Sequence, residues 1–164
     1  MSDKLKEIIA QQNERQNVAL SQLDDIVQLV GFVIGNEEYA VPILSIQEII
    51  KPFEWTRVPQ VPKYVMGVFN LRGSVIPLID LRIKFGIASK KHTDETRFIV
   101  MRNGDDVAGF VIDRLTMAIR LKKDKIGPAP DTVNGENTLI DGVGKQDDGI
   151  ITILKVDKLL ERDF

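Results

Sequence analysis

A 19-residue stretch, GVFNLRGSVIPLIDLRIKF (67–85), lies over GVGKQDDGIITILKVDKLL (142–160) at a single offset of 75 residues. The overlay sets Gly67-Val68 on Gly142-Val143, Val75-Ile76 on Ile150-Ile151, Leu78-Ile79 on Ile153-Leu154 and Phe85 on Leu160. Upstream of each copy lies a hairpin pattern. "LVGFVI", Gly35-Asn36 and "EEYAVPI" form the first; "TRFIVM", Asn103-Gly104 and "VAGFVIDRL" form the second, with Asn-Gly as a strong two-residue hairpin signal. The hairpins align at an offset near 69, so a small insertion separates the repeats. A chain that repeats itself at this period is built from two similar modules, which constrains its fold more than any single motif.

Both modules read as β. Short β-branched and aromatic runs punctuated by turn residues place further strands at Ile46–Ile50, Tyr64–Asn70, Val75–Ile79, Met117–Leu121 and Ile150–Leu154. About five strands per module suffice to close a small barrel and remove its exposed edges. "VIPLI" is apolar at successive positions, as expected where alternate residues face the module's own core and its neighbour. Pro77 has no amide to donate and marks an edge or bulge. Asp80 suits a helix N-cap and Gly86 a stop, so "LRIKF" forms one or two turns of helix, and "KVDKLLERDF" closes the chain as another short helix. Residues 1–25, without Gly or Pro, read as a helical extension with Leu5, Ile8, Ile9 and Gln12 on one side. The expected organisation is the extension, then a domain over 26–164 divided into barrel 1 (26–88), a linker (89–95) and barrel 2 (96–164).

Composition narrows the function. With 28 % charged and 43 % hydrophobic residues, the 164-residue chain has the balance of a soluble folded domain. A formal net charge of −2 offers no general attraction for nucleic acid or anionic lipid, and Lys122, Lys123 and Lys125 read as a solvated turn. The chain has no cysteine and a single histidine, His92, so disulfide, thiolate and nearly all zinc chemistry is excluded. The start resembles no signal peptide and no apolar run reaches membrane-spanning length. A cytoplasmic protein without cofactor or metal is expected.

One turn departs from the repeat. "NLRGS" (70–74) in the first module corresponds to "KQDDG" (145–149) in the second, where Asp148-Gly149 meets the needs of a tight turn. The architecture therefore does not demand Leu71 or Arg72. An arginine beside a large apolar group fits a partner-binding hot spot, and it also fits an ordinary surface ion pair.

"VGFVIGNEEYAVPILSIQEII", "TRVPQVPKYVMGVFNLRGSVIPLIDLRIKFG", "GFVIDRLTMAI" and "LIDGVG…IITILKVDKLL", taken in order over residues 28 to 161, resemble the CheW family of bacterial chemotaxis coupling proteins. The resemblance implies two tandem SH3-like five-stranded β-barrels. It further implies a non-enzymatic adaptor between the cytoplasmic tips of chemoreceptors (methyl-accepting chemotaxis proteins) and the regulatory domain of the histidine kinase CheA. Other CheW-like domains are additional candidate partners, and recruitment to membrane-associated receptor arrays is expected without membrane insertion. In the family the receptor's helical hairpin lies in the groove between barrels, and an acid pairs with the arginine of "NLRG". Those positions match Glu48 and Arg72 here, and an apolar receptor contact matches Ile46. Val68 and Leu71 are expected to extend the apolar strip, with Asn70 completing the receptor-binding set; no residue is assigned to the kinase. Glu48 and Arg72 read as surface positions, so their loss is expected to spare the fold. The same module occurs in CheA and in CheV, where a receiver domain follows; with none after Phe164 the free adaptor is expected.

Two other functional classes fit the residues less well. Glu48, Asp80 and Asp113 with Arg72 could in principle form a carboxylate enzyme, but no spacing predicts their convergence. His92, in the polar linker "SKKHTDE", reads as exposed. A nucleic-acid-binding barrel needs a basic groove with exposed aromatics, which the acidic balance disfavours. Gly67 reads as a bulge or close-approach glycine. Phe53 and Trp55 fit either a barrel cap or a partner anchor, with the cap favoured for Trp55.

Overall fold

The computed structural model describes residues 3–129, 139–162 and 164. It contains helix α1 (Asp3–Asp24), strands β1 (Ile26–Ile34), β2 (Glu37–Pro42), β3 (Ile46–Ile50), β4 (Val65–Leu71) and β5 (Ser74–Asp80), and helix α2 (Leu81–Lys84). There follow β6 (Arg97–Asn103), β7 (Asp106–Ile112), β8 (Arg114–Lys122), β9 (Ile126–Gly127), β10 (Ile140–Gln146), β11 (Gly149–Leu154) and helix α3 (Val156–Leu159). Both expected hairpins form, β1 with β2 and β6 with β7. Asp80 caps α2 by accepting the Arg82 amide at 2.9 Å, and Gly86 at φ +79° follows the helix end. The lysine cluster is a short 3-10 turn, Lys123–Lys125. Among the described residues no helix is long and apolar enough to cross a membrane.

The sheets do not follow contiguous halves of the chain. One has the order β8-β1-β2-β11-β10-β9 and the other β3-β6-β7-β5-β4. The first hairpin of each repeat has crossed into the other repeat's sheet: β1-β2 lies between β8 and β11, and β6-β7 lies between β3 and β5. The exchange is reciprocal, since β2 runs parallel to β11 as β7 runs parallel to β5. The boundary at 89–95 thus divides the sequence repeats, whereas the six-stranded sheet, otherwise built from the second repeat, needs the strands from 26–42, and the five-stranded sheet, otherwise built from the first, needs those from 97–112. Each repeat can complete its sheet only with the other's hairpin, so the two form one cooperative body.

Three apolar bodies result. Phe69, Ile76, Leu78, Phe98, Val100 and Val111 fill the five-stranded sheet, and Leu29, Ala40, Ile119, Leu121, Ile151 and Ile153 fill the six-stranded one. Between the sheets lies the largest, built around Phe32, Ile79, Ile99, Met101, Phe110 and Leu154. Strand alternation divides the side chains: on β6, Phe98 and Val100 face the barrel interior while Ile99 and Met101 face the shared core. The successive apolar positions of β5 have the same cause, with Ile76 and Leu78 inside the barrel and Ile79 in the shared core. Pro77 lies in a strand flanked on both sides; it pairs with Val68 of β4, but β7 pairs only with Leu78 to Asp80, so its missing amide falls where the β7 side is unpaired.

Tyr39 packs against the shared core, with ring centroids 6.3 Å from Phe32 and 5.0 Å from Phe85. Burial, and secondarily the charge of Glu37, raise its phenol above the ordinary 10.0. A phenol whose folded pKa is raised contributes stability that is complete below the unfolded pKa and is lost as pH rises through the folded value. The urea midpoint should therefore fall above about pH 10, and less steeply in Tyr39→Phe than in the parent. Equal slopes in the two proteins would remove Tyr39 as a cause.

Helix α1 forms as expected, and Leu5, Ile8 and Ile9 of its stripe are 44 %, 50 % and 51 % exposed.

Candidate functional site

Strands β3 and β4 are the two outer strands of the five-stranded sheet. Their ends nonetheless meet, because Arg72 Nη2 donates to Glu48 Oε2 at 3.0 Å. An ion pair between opposite edges means that the sheet has curled until those edges face one another, as a small barrel requires. The pair predicted from resemblance is a clasp across that seam.

The β4–β5 turn aims the arginine. Leu71 pairs with Ser74, leaving Arg72 and Gly73 as the central residues, at φ +51° and +89°. Two positive φ values are the type I′ pattern, whose twist suits a hairpin and which Asn-Gly ordinarily satisfies. Asn70 closes the turn, its Oδ1 accepting the Gly73 amide at 3.0 Å. In the other repeat the central residues are Asp147 and Asp148, with Gly149 opening β11 at φ +149°, instead of the expected Asp148-Gly149. Arginine thus occupies a left-handed position that disfavours any residue with a Cβ, a cost of about 1 kcal/mol that the fold alone does not explain.

The two partners differ in exposure: the Arg72 side chain is 80 % exposed and that of Glu48 is 21 %. Glu48 is therefore not the surface position expected from the sequence. Among the described residues its Oε1 is buried without a hydrogen-bond partner, while Oε2 accepts from Arg72. A carboxylate so enclosed depends on its counterion more than an exposed one does.

The other candidate residues divide. Ile46 is half-buried against the shared core, and Leu71 packs on the barrel interior. Val68 and exposed Asn70 line an open groove of about 570 Å³ with Glu54, Trp55, Thr56 and Val75. The structure therefore does not gather Ile46, Val68 and Leu71 into one strip. Thr56 is held across the groove by paired hydrogen bonds, its amide donating to the Val68 carbonyl at 2.8 Å and accepting at its carbonyl from the Val68 amide at 2.9 Å. Gly67 makes this approach possible and also sits at a register shift, so both sequence readings of it hold. Phe53 and Trp55 cap the barrel end: Phe53 meets Phe69 edge-on at 5.3 Å and Trp55 meets Phe98 at 6.4 Å. His92 is half-buried between them, 5.5 Å from Trp55 and 5.9 Å from Phe98, so the linker folds back onto the cap and the expectation of an exposed histidine fails.

Asp80 and Asp113 gather around Arg82, away from the clasp. Asp80 accepts from the Arg82 amide and the Ser89 hydroxyl, and Asp113 Oδ2 accepts from both the Arg82 guanidinium and the Gly35 amide. Each carboxylate is used in tying segments together, Asp113 joining the β1–β2 turn to α2. Sequence reasoning missed two residues that line a second groove. One is Leu44, 98 % exposed after β2. The other is Arg102, whose Nε donates to Gln47 Oε1 at 2.8 Å.

Residues 28–164 match the family described as CheW-like domain. Over 165 aligned residues, spanning 100 % of both chains, the protein is 50 % identical to the chemotaxis protein CheW of Helicobacter pylori. It is 35 % identical to CheW of Klebsiella aerogenes over 80 % of each chain, and 31 % identical to CheW of Bacillus subtilis over 83 % of this chain and 88 % of that one. The crystal structure of the scaffolding protein TtCheW from Thermoanaerobacter tengcongensis superposes with a TM-score of 0.74 at 30 % identity, covering 79 % of this chain and 88 % of that one. The fold agrees with the comparisons, and the chain belongs to the CheW family of chemotaxis scaffold proteins.

Proposed function

We propose that the protein couples the cytoplasmic tips of chemoreceptors to the histidine kinase CheA, with Arg72 as the orienting contact for the receptor. The observation that carries this reading is the clasp: an 80 % exposed guanidinium held by Glu48 at the end of a turn that the fold could have made without arginine. A receptor tip is a helical hairpin with an apolar side. Leu71, adjacent to Arg72, is partly exposed, and a guanidinium fixed beside such an apolar group sets the register of a docked helix. Asn70 holds the turn from beneath. The protein works in the cytoplasm, and joining receptor to kinase turns modest pair affinities into stable arrays through effective concentration.

The test is co-sedimentation with receptor signalling fragments and CheA, reading kinase autophosphorylation in the pellet. Parent protein should bring the kinase down and activate it. Arg72→Ala should lose about tenfold or more in receptor affinity, the scale of a hot-spot residue. Recruitment by Arg72→Ala at parental level would remove the clasp from the coupling surface.

A further inference from the structure

The pairing of β3 contains an irregularity that bears on the clasp. Ile46 is opposite Met101 and Glu48 is opposite Val100, so Gln47 is an extra residue without a partner across the ladder. In a regular strand Ile46 and Glu48 share a face and Ile46 and Ile49 do not. Here Ile46 and Ile49 both pack on the shared core, while Ile50 packs on the barrel interior. The bulge at Gln47 has therefore reversed the phase of the strand. That reversal takes Glu48 off the face of Ile46 and delivers its carboxylate to the barrel seam, where Arg72 arrives from the opposite edge.

A bulge residue has no ladder partner to hold it, yet Gln47 is held. Arg102, on neighbouring β6, donates its Nε to Gln47 Oε1 at 2.8 Å. Its Nη1 also reaches the Gly104 carbonyl at 3.5 Å, which ties the guanidinium back to its own hairpin turn. We propose that Arg102 is a positioning residue for the receptor contact: by holding Gln47 it keeps the bulge in place, and the bulge aims Glu48 at Arg72. The proposal rests on the reading of Arg72 as the receptor contact, but its structural half can be tested without any partner.

The experiment uses the full chain in parent and Arg72→Ala backgrounds, each with and without Arg102→Met, which keeps an apolar stem and removes the donors. In the free protein, 15N relaxation of the Arg72 side chain should report lower order in Arg102→Met, and Arg102→Lys, which retains one donor for Gln47, should restore it. Binding to a receptor signalling fragment should weaken about threefold to tenfold in Arg102→Met, the scale of one exposed hydrogen bond. In the Arg72→Ala background the same change should have no further effect. Unchanged Arg72 order overturns the proposal. So does equal weakening in both backgrounds, because Arg102 also lines a groove beside Leu44 and would then be touching the partner itself. Loss of Arg72 order with no receptor binding by the parent would sustain the positioning role and discard the receptor.

Discussion

Gly67→Ala is expected to destabilise the protein by about 3 kcal/mol or more, although it adds a single methyl group to a strand. A Cβ at this position would lie 2.0 Å from the Thr56 carbonyl oxygen, 2.7 Å from its carbon and 3.0 Å from Arg57 Cα. All three are backbone atoms, so no rotamer change relieves the overlap. Residue 67 also has φ +155°, where an L side chain is strained whatever the space. The chain can respond only by separating Thr56 from β4, breaking the two hydrogen bonds to Val68 and opening the groove beside Trp55. Gly73→Ala is the control: φ is +89°, but its Cβ would meet nothing within 4 Å, so only the conformational cost of about 1 kcal/mol applies. Urea titrations of both variants with unchanged m-value would measure the difference. A Gly67→Ala midpoint no lower than that of Gly73→Ala would mean that the Thr56 segment moves freely, and that the groove is not a fixed part of the surface.

The repeat, the hairpins and the capped short helices were legible because each rests on local chemistry. Asn-Gly makes a hairpin wherever it lies, and Asp80 caps the helix that begins beside it. The exchange of hairpins between the sheets was not legible. Both repeats carry the same pattern, so β1-β2 satisfies β8 and β11 as well as it would its own repeat, and only tertiary geometry chooses. The clasp was half legible. Arg72 stood out against Asp147 in the other repeat, and family resemblance supplied Glu48, but resemblance did not disclose that Glu48 is largely buried. The bulge at Gln47 was not legible: strands here are buried on both faces, so apolar residues at 46, 49 and 50 fit a regular strand as well as a bulged one, and Arg102, far off in sequence, could be found only through the fold. His92 was misplaced for the complementary reason: a polar linker composition does not reveal an aromatic cap against which the linker can fold.

Arg72→Asn separates fold from function in a single substitution. It converts the turn to Asn-Gly, the sequence that the type I′ geometry prefers, and removes a Cβ-bearing long side chain from φ +51° in favour of a residue that tolerates the left-handed region. The relief is about 1 kcal/mol. Against it stands the lost ion pair, worth about 0 to 1 kcal/mol because Arg72 is 80 % exposed. The net change in unfolding free energy should therefore lie between zero and a gain, and in a Glu48→Gln background, where no ion pair is lost, the full gain should appear. Receptor affinity should meanwhile fall about tenfold or more, and kinase activation with it. An unchanged or higher urea midpoint together with lost coupling would establish that strain is retained at this turn for binding. If Arg72→Asn instead lowers stability by more than about 1 kcal/mol, the ion pair is chiefly a seam closure for the barrel, and the buried Glu48 carboxylate is the reason.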